Sequence, residues 1–138
     1  EETVVQFRNS SSEELIGNGE HILIVDEESL LQDIAVQILT TLGYTVDAVC
    51  SGELAIAFIQ KTPVDLIVMD MLMEPGMNGR QSYEEIIKLY PEQKAVIVSG
   101  FSESDDVKAV LRLGAGGFIK KPYSFEQLGR VVREVLHT

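Results

Sequence analysis

The sequence predicts an α/β domain whose parallel sheet is covered by helices on both faces. Three observations predict it. Apolar runs of about five residues recur along the chain from His21 onward. Amphipathic stretches of about twelve residues separate them. The apolar runs are continuous rather than alternating, which is the pattern of strands buried on both faces. Five short strands alternating with five helices imply right-handed βαβ units and a doubly wound sheet.

Each element carries its own signal. Ile22–Val25 is the first apolar run. Ser29 to Leu42 places Leu30, Leu31, Ile34, Ala35, Ile38, Leu39 and Leu42 at helical spacing, and Gly43 ends the helix. Tyr44–Val49 reads as the second strand. Ser51 caps the next helix, which turns Leu54, Ala55, Phe58 and Ile59 inward and is broken by Pro63. Leu66–Met69 and Ala95–Val98 are the third and fourth runs. Between them lie a loop rich in Gly and Pro and a helix that ends near Tyr90-Pro91. Glu103–Leu113 reads as a helix stopped by Gly114, Phe118-Ile119 as the fifth strand, and Ser124 to Leu136 as the closing helix.

Residues 1–20 break this pattern. A Ser run, Gly and Asn with little periodicity predict an N-terminal linker or tail, with the domain spanning 21–138. Thr3–Phe7 reads as a short strand at most. The chain of 138 residues suits one domain plus that tail. A single cysteine, Cys50, excludes an internal disulfide framework and is read as a small buried or half-buried residue. No apolar run reaches the length needed to span a bilayer, and Glu1-Glu2 begin no signal peptide, so a cytoplasmic location is expected. The net charge of −11 argues against direct nucleic-acid binding and suits a cation or a basic partner surface.

Parallel sheets of this kind place their sites beyond the carboxyl ends of the strands. Strand 1 ends in Asp26-Glu27, strand 3 in Asp70, strand 4 in Ser99-Gly100, and strand 5 runs into Lys120-Lys121-Pro122. Carboxylates brought close together repel, and a hard divalent cation with oxygen ligands, such as Mg²⁺, compensates. A carboxylate can act as a nucleophile and form an acyl phosphate. A hydroxyl and an ammonium can hold the phosphoryl oxygens, and in-line transfer needs mainly positioning and charge neutralisation.

These residues resemble the CheY-like receiver domains of response regulators and hybrid sensor kinases. The resemblance rests on ILIVDEE, DLIVMDMLMEPGMNG, AVIVSG and GAGGFIKKPY, in the family's order, and covers about His21 to Leu136. It implies a flavodoxin-like three-layer (βα)5 sandwich with strand order 2-1-3-4-5. It implies that Asp70 is the phosphoacceptor. Asp26 and Glu27 would hold Mg²⁺ together with Asp70 and the backbone carbonyl of Leu72. Ser99 matches the switch hydroxyl, Phe118 the switch aromatic, and Lys121 the lysine that contacts the phosphoryl group. In relatives the peptide bond corresponding to Lys121–Pro122 is cis. The partner implied is a histidine kinase or histidine phosphotransfer domain, and phosphorylation would alter the surface of helix 4, strand 5 and helix 5 toward a downstream protein.

Glu27 stands where the family more often has Asp, and one extra methylene alters its reach. The loop after Asp70 is one residue longer than the usual form, with Glu74 as the insertion. Lys120 and Lys121 point to opposite faces of an extended strand, so only one faces the site, and adjacency to Pro122 favours Lys121. His21 and His137 read as surface residues, and Met71, Met73 and Met77 as packing. In relatives, positions matching Leu72 and Phe101 tune self-dephosphorylation. Both are apolar here, so a slowly hydrolysed acyl phosphate is expected.

Other classes fit less well. A small-molecule phosphatase with an Asp nucleophile would carry two Asp separated by one residue after strand 1. A flavin binder would carry a Ser/Thr/Gly-rich phosphate loop there, whereas this loop is acidic. A pseudo-receiver used only for protein contacts is opposed by Asp70, Ser99 and Lys121. The GNGE ahead of strand 1 resembles linkers that join a kinase core to a C-terminal receiver. It favours a fragment of a hybrid sensor kinase, a transferase whose full chain could be membrane-anchored, over a stand-alone regulator. With no effector domain following residue 138 in this sequence, the expected output is a partner protein, an intramolecular kinase domain or a further phosphotransfer step.

Overall fold

A computed structural model describes residues 15–73, 76–100 and 105–138. The strands are β1 (His21–Val25), β2 (Thr45–Val49), β3 (Leu66–Asp70), β4 (Lys94–Ser99) and β5 (Gly117–Lys120). The helices are α1 (Ser29–Thr41), α2 (Gly52–Lys61), α3 (Gly79–Leu89), α4 (Asp105–Leu113) and α5 (Phe125–Leu136). The expectations placed on Thr3–Phe7, Glu74, Phe101 and the start of the fourth helix at Glu103 lie outside the described residues.

All neighbouring strands run parallel, in the order β2-β1-β3-β4-β5. The doubly wound (βα)5 sandwich read from the sequence is the one observed. Side-chain alternation along the strands divides the core in two. Ile22, Ile24, Leu66, Val68, Val96 and Val98 face one side and pack on Ala35 and Leu39 of α1 and Leu128, Val132 and Val135 of α5. Leu23, Val25, Ile67, Met69, Ala95 and Ile97 face the other and pack on Ala55 and Ile59 of α2, Tyr83 and Ile86 of α3, and Val107 and Val110 of α4. Both faces are covered, which is why the central strands read as unbroken apolar runs. β2 lies at the sheet edge and is only half-buried at best.

The boundary signals act locally as their chemistry dictates. Ser51 Oγ accepts from Leu54 N at 3.1 Å, and Asn78 and Ser124 each head a reciprocal capping box. Gly43 follows the end of α1 with a φ of 94°, a conformation that suits glycine. Helical spacing overstated the inner faces. Leu30, Ile34 and Leu54 are 69%, 42% and 49% exposed, because each lies beside the stripe that meets the sheet.

Residues 15–20 lie along the domain. Gly17 N donates to Leu42 O at 2.7 Å, Gly19 N to Gly43 O at 3.0 Å, and Thr45 N to Glu20 O at 3.0 Å. Leu15 is buried in the α1/α5 cluster, and Arg133 Nη1 on α5 donates to Ile16 O at 2.6 Å. Cys50, read as at least half-buried, is exposed just beyond the edge strand. His21, read as a surface residue, is half-buried: its ring meets Phe58 edge-on, and Nε2 lies 2.6 Å from Asp47 Oδ2.

Candidate functional site

The strand order reverses between β1 and β3. Asp26 follows β1 and Asp70 ends β3, so the two acids flank the switch point where doubly wound sheets bind ligands. Both are buried, at 7% and 4% exposure, at a sheet end where burial of a charge must be compensated. Lys121 supplies the compensation. Its Nζ lies 3.1 Å from Asp70 Oδ2 and 3.5 Å from Asp26 Oδ2.

Each side chain is held by its own element. Asp26 N donates to Val49 O at 3.2 Å, and Asp26 Oδ1 accepts from Glu28 N at 2.9 Å, leaving Oδ2 toward Lys121. Asp70 Oδ1 accepts from Leu72 N at 3.3 Å. Met71 N donates to Val98 O and Gly79 N to Met71 O, which ties the β3 end to β4 and to the start of α3. A Cβ on Gly79 would fall 2.7 Å from Asp70 O and 2.6 Å from Met71 Cα. Only glycine lets α3 begin so close to the backbone of the nucleophile candidate.

Lys121 N donates to Ser99 O at 2.8 Å, and the Lys121–Pro122 peptide is cis. Lys120 is exposed, so of the two lysines it is Lys121 that faces the acids. Ser99 is buried at the end of β4, beside Lys120 in the β4–β5 register. Phe118 pairs with Ile97 and is half-buried against the α2/α3/α4 cluster. Leu72 is 59% exposed and Glu27 is exposed. Met71 and Met73 are buried in the core, as packing residues.

Burial pushes the Asp70 carboxyl above its ordinary range, and the Asp26 charge adds to the rise against the pull of Lys121 and the Leu72 N–H. Burial alone would lower the Lys121 ammonium, but Asp70 and Asp26 outweigh it and leave Lys121 raised. Two buried carboxylates share one ammonium, so one negative charge remains uncompensated in the pair. That surplus, on oxygen ligands alone, fits a hard divalent cation. Among the described residues no three His, Cys, Asp or Glu side chains form a ready cluster for a metal. A cation here would rest on the two aspartates, main-chain oxygen and water, the mixed set that Mg²⁺ accepts.

Two residues of the site carry no signal in the local sequence pattern. Gln32, on α1, donates from Nε2 to Asp26 O at 2.7 Å and to Val49 O at 2.8 Å. The Tyr123 phenol is raised by burial and by the charges of Asp26 and Asp70, so it stands within their field. Gln32 joins residues 6 and 17 positions away, and Tyr123 senses charges across the site, relations that periodicity does not reveal.

A profile of the response regulator receiver domain matches residues 22–133. The chain is 32% identical over 115 residues to the chemotaxis protein CheY of Thermotoga maritima, covering 83% of this chain and 92% of that protein. It is 32% identical to the sensor kinase CckA of Brucella abortus over 83% of this chain but only 12% of the kinase. The chain spans 46% of a probable transcriptional regulator ycf27 of Cyanidium caldarium, also at 32% identity over 84% of this chain. A CheY-like receiver domain protein of Methanospirillum hungatei superposes with a TM-score of 0.81 at 29% identity, over 87% of this chain and 95% of that one. No helix among the described residues is long and apolar enough to cross a membrane.

Proposed function

The chain belongs to the response regulator receiver family, and we propose that within a two-component system it accepts a phosphoryl group on Asp70 from a phosphohistidine. The observation that carries this reading is the convergence of Asp70, Asp26 and the Lys121 ammonium at one sheet end. An Asp70 carboxylate oxygen attacks phosphorus, the phosphorus–nitrogen bond breaks, and the imidazole nitrogen leaves with the electron pair and takes up a proton. Lys121 Nζ, 3.1 Å from Asp70, holds a developing phosphoryl oxygen as a point charge. Asp26, Asp70 and the Leu72 carbonyl would hold Mg²⁺, with Glu27 reaching it through water, and the bound ion would neutralise charge on the phosphoryl oxygens.

Ser99, buried one strand away, donates its hydroxyl to the phosphoryl group, and Phe118 changes its packing in step. The added charge shifts the face of α4, β5 and α5 toward a downstream protein. The receiver unit expected over residues 21–138 takes residues 15–20 with it as a packed N-terminal segment, in a cytoplasmic part of a hybrid sensor kinase; the match to the sensor kinase CckA supports that placement. The deciding experiment is intact mass after incubation with acetyl phosphate and Mg²⁺. The expected result is an adduct of about 80 Da that needs Mg²⁺ and is lost in Asp70→Asn. Absence of any adduct on the wild type would make the chain a protein-contact module instead.

A further inference from the structure

We infer that Gln32 is a positioning residue for the cation ligands at this site, an inference that rests on the phosphoacceptor reading above. Gln32 sits in the first turn of α1, where its N donates to Glu28 O at 3.0 Å. Its side-chain nitrogen bridges two main-chain carbonyls, Asp26 O at 2.7 Å and Val49 O at 2.8 Å. Both partners are acceptors, so only the NH₂ end of the amide can face them. Each hydrogen of that NH₂ serves one carbonyl.

The bridge acts on the peptide that links Asp26 to Glu27. The N–H of Asp26 is fixed to Val49 O, its carbonyl to Gln32, and its carboxylate oxygen Oδ1 to Glu28 N. With all three tethers in place, the Oδ2 atom of Asp26 has little freedom except to face Lys121 Nζ. The plane of the same peptide sets the direction in which the Glu27 side chain leaves the backbone. β2 is an exposed edge strand, and Gln32 ties its end to that of β1 across α1. Partners behind metal ligands fix ligand orientation, and losing one typically costs about 10–100-fold in metal affinity or activity.

The test separates positioning from a merely structural strut. Gln32→Leu removes both donors at similar size. Gln32→Asn keeps an amide but is one methylene too short to reach both carbonyls, and it intrudes on nothing. Mg²⁺ alone, with no phosphodonor, is titrated into each protein while amide NMR shifts are followed, and thermal unfolding is recorded in parallel. Both variants are expected to bind Mg²⁺ about tenfold more weakly than wild type. Their rates of acetyl phosphate labelling should return to near the wild-type rate at saturating Mg²⁺. A folded variant with wild-type Mg²⁺ affinity, whatever its unfolding midpoint, would overturn the inference and leave Gln32 a strut. A wild type that takes no Mg²⁺ would instead overturn the cation reading itself, and this inference with it.

Discussion

The two ends of the same sheet handle charge in opposite ways. At the carboxyl end, Asp26 and Asp70 are buried and share the single ammonium of Lys121. At the amino end, His21 meets Asp47 at 2.6 Å with half of the Asp47 side chain exposed, and His21 N donates to Asp65 Oδ2 at 2.7 Å. There, too, Lys94 Nζ donates to Leu136 O at 2.8 Å and Thr138 O at 3.2 Å, closing the exposed carbonyls at the end of α5. The amino end satisfies its polar groups cheaply, near water. The carboxyl end keeps a buried acid whose ionised form the fold disfavours. Buried carboxyls shifted in this way cluster at functional sites, which marks Asp70 as the candidate reactive group.

Asp70→Asn breaks the comparison most sharply. Acyl phosphate formation should disappear, a loss of at least about a thousandfold. The same change should stabilise the fold. The folded carboxyl titrates above its ordinary range, so neutral Asp70 contributes stability that is complete below the unfolded value of about 3.9 and is lost as pH rises through the folded value. Asparagine is neutral throughout. Its urea midpoint should exceed that of wild type at pH 7 and converge with it on acidification below about pH 4.

Lys121→Met should have the opposite sign. It leaves Asp26 and Asp70 facing each other without a counter-charge, and urea unfolding at neutral pH should show a loss of about 3 kcal/mol. A loss of a few tenths would mean that solvent, not Lys121, screens the pair. Next in size is Leu72. Its exposed apolar side chain offers nothing to orient a water, so the wild-type acyl phosphate should outlast minutes. Leu72→Asn should hasten its hydrolysis about tenfold, roughly 1.4 kcal/mol in barrier, read by loss of the mass adduct with time. A wild-type half-life of seconds with Mg²⁺ present contradicts this. The smallest effect belongs to the amino end. Asp47→Asn should lower the unfolding free energy, read from urea titration, by less than about 1 kcal/mol, because the pair is partly in water.

Much of this molecule was legible in the chain itself. Continuous apolar runs marked β1, β3 and β4 as strands covered on both faces, and Ser51, Ser124, Gly43 and Pro63 marked where helices start and stop. The residues after each run pointed to Asp26, Asp70, Ser99 and Lys121, because in a parallel sheet those positions fall on one edge whatever the packing. Periodicity decided less well which helical side chains face inward. Leu30, Ile34 and Leu54 fit the spacing yet lie outside the buried stripe, since the stripe's width depends on how each helix sits on the sheet.

What only the tertiary structure decided are relations between distant residues. Lys121 reaches two acids that lie 95 and 51 positions away in the chain. Gln32 joins the ends of β1 and β2, Gly79 lets α3 begin against the backbone of Asp70, and residues 15–20 lie along the α1–β2 turn and α5. Sequence pattern reports how one segment alternates between water and core. Distances, shared counter-charges and the burial that raises Asp70 exist only once separate segments have been brought together.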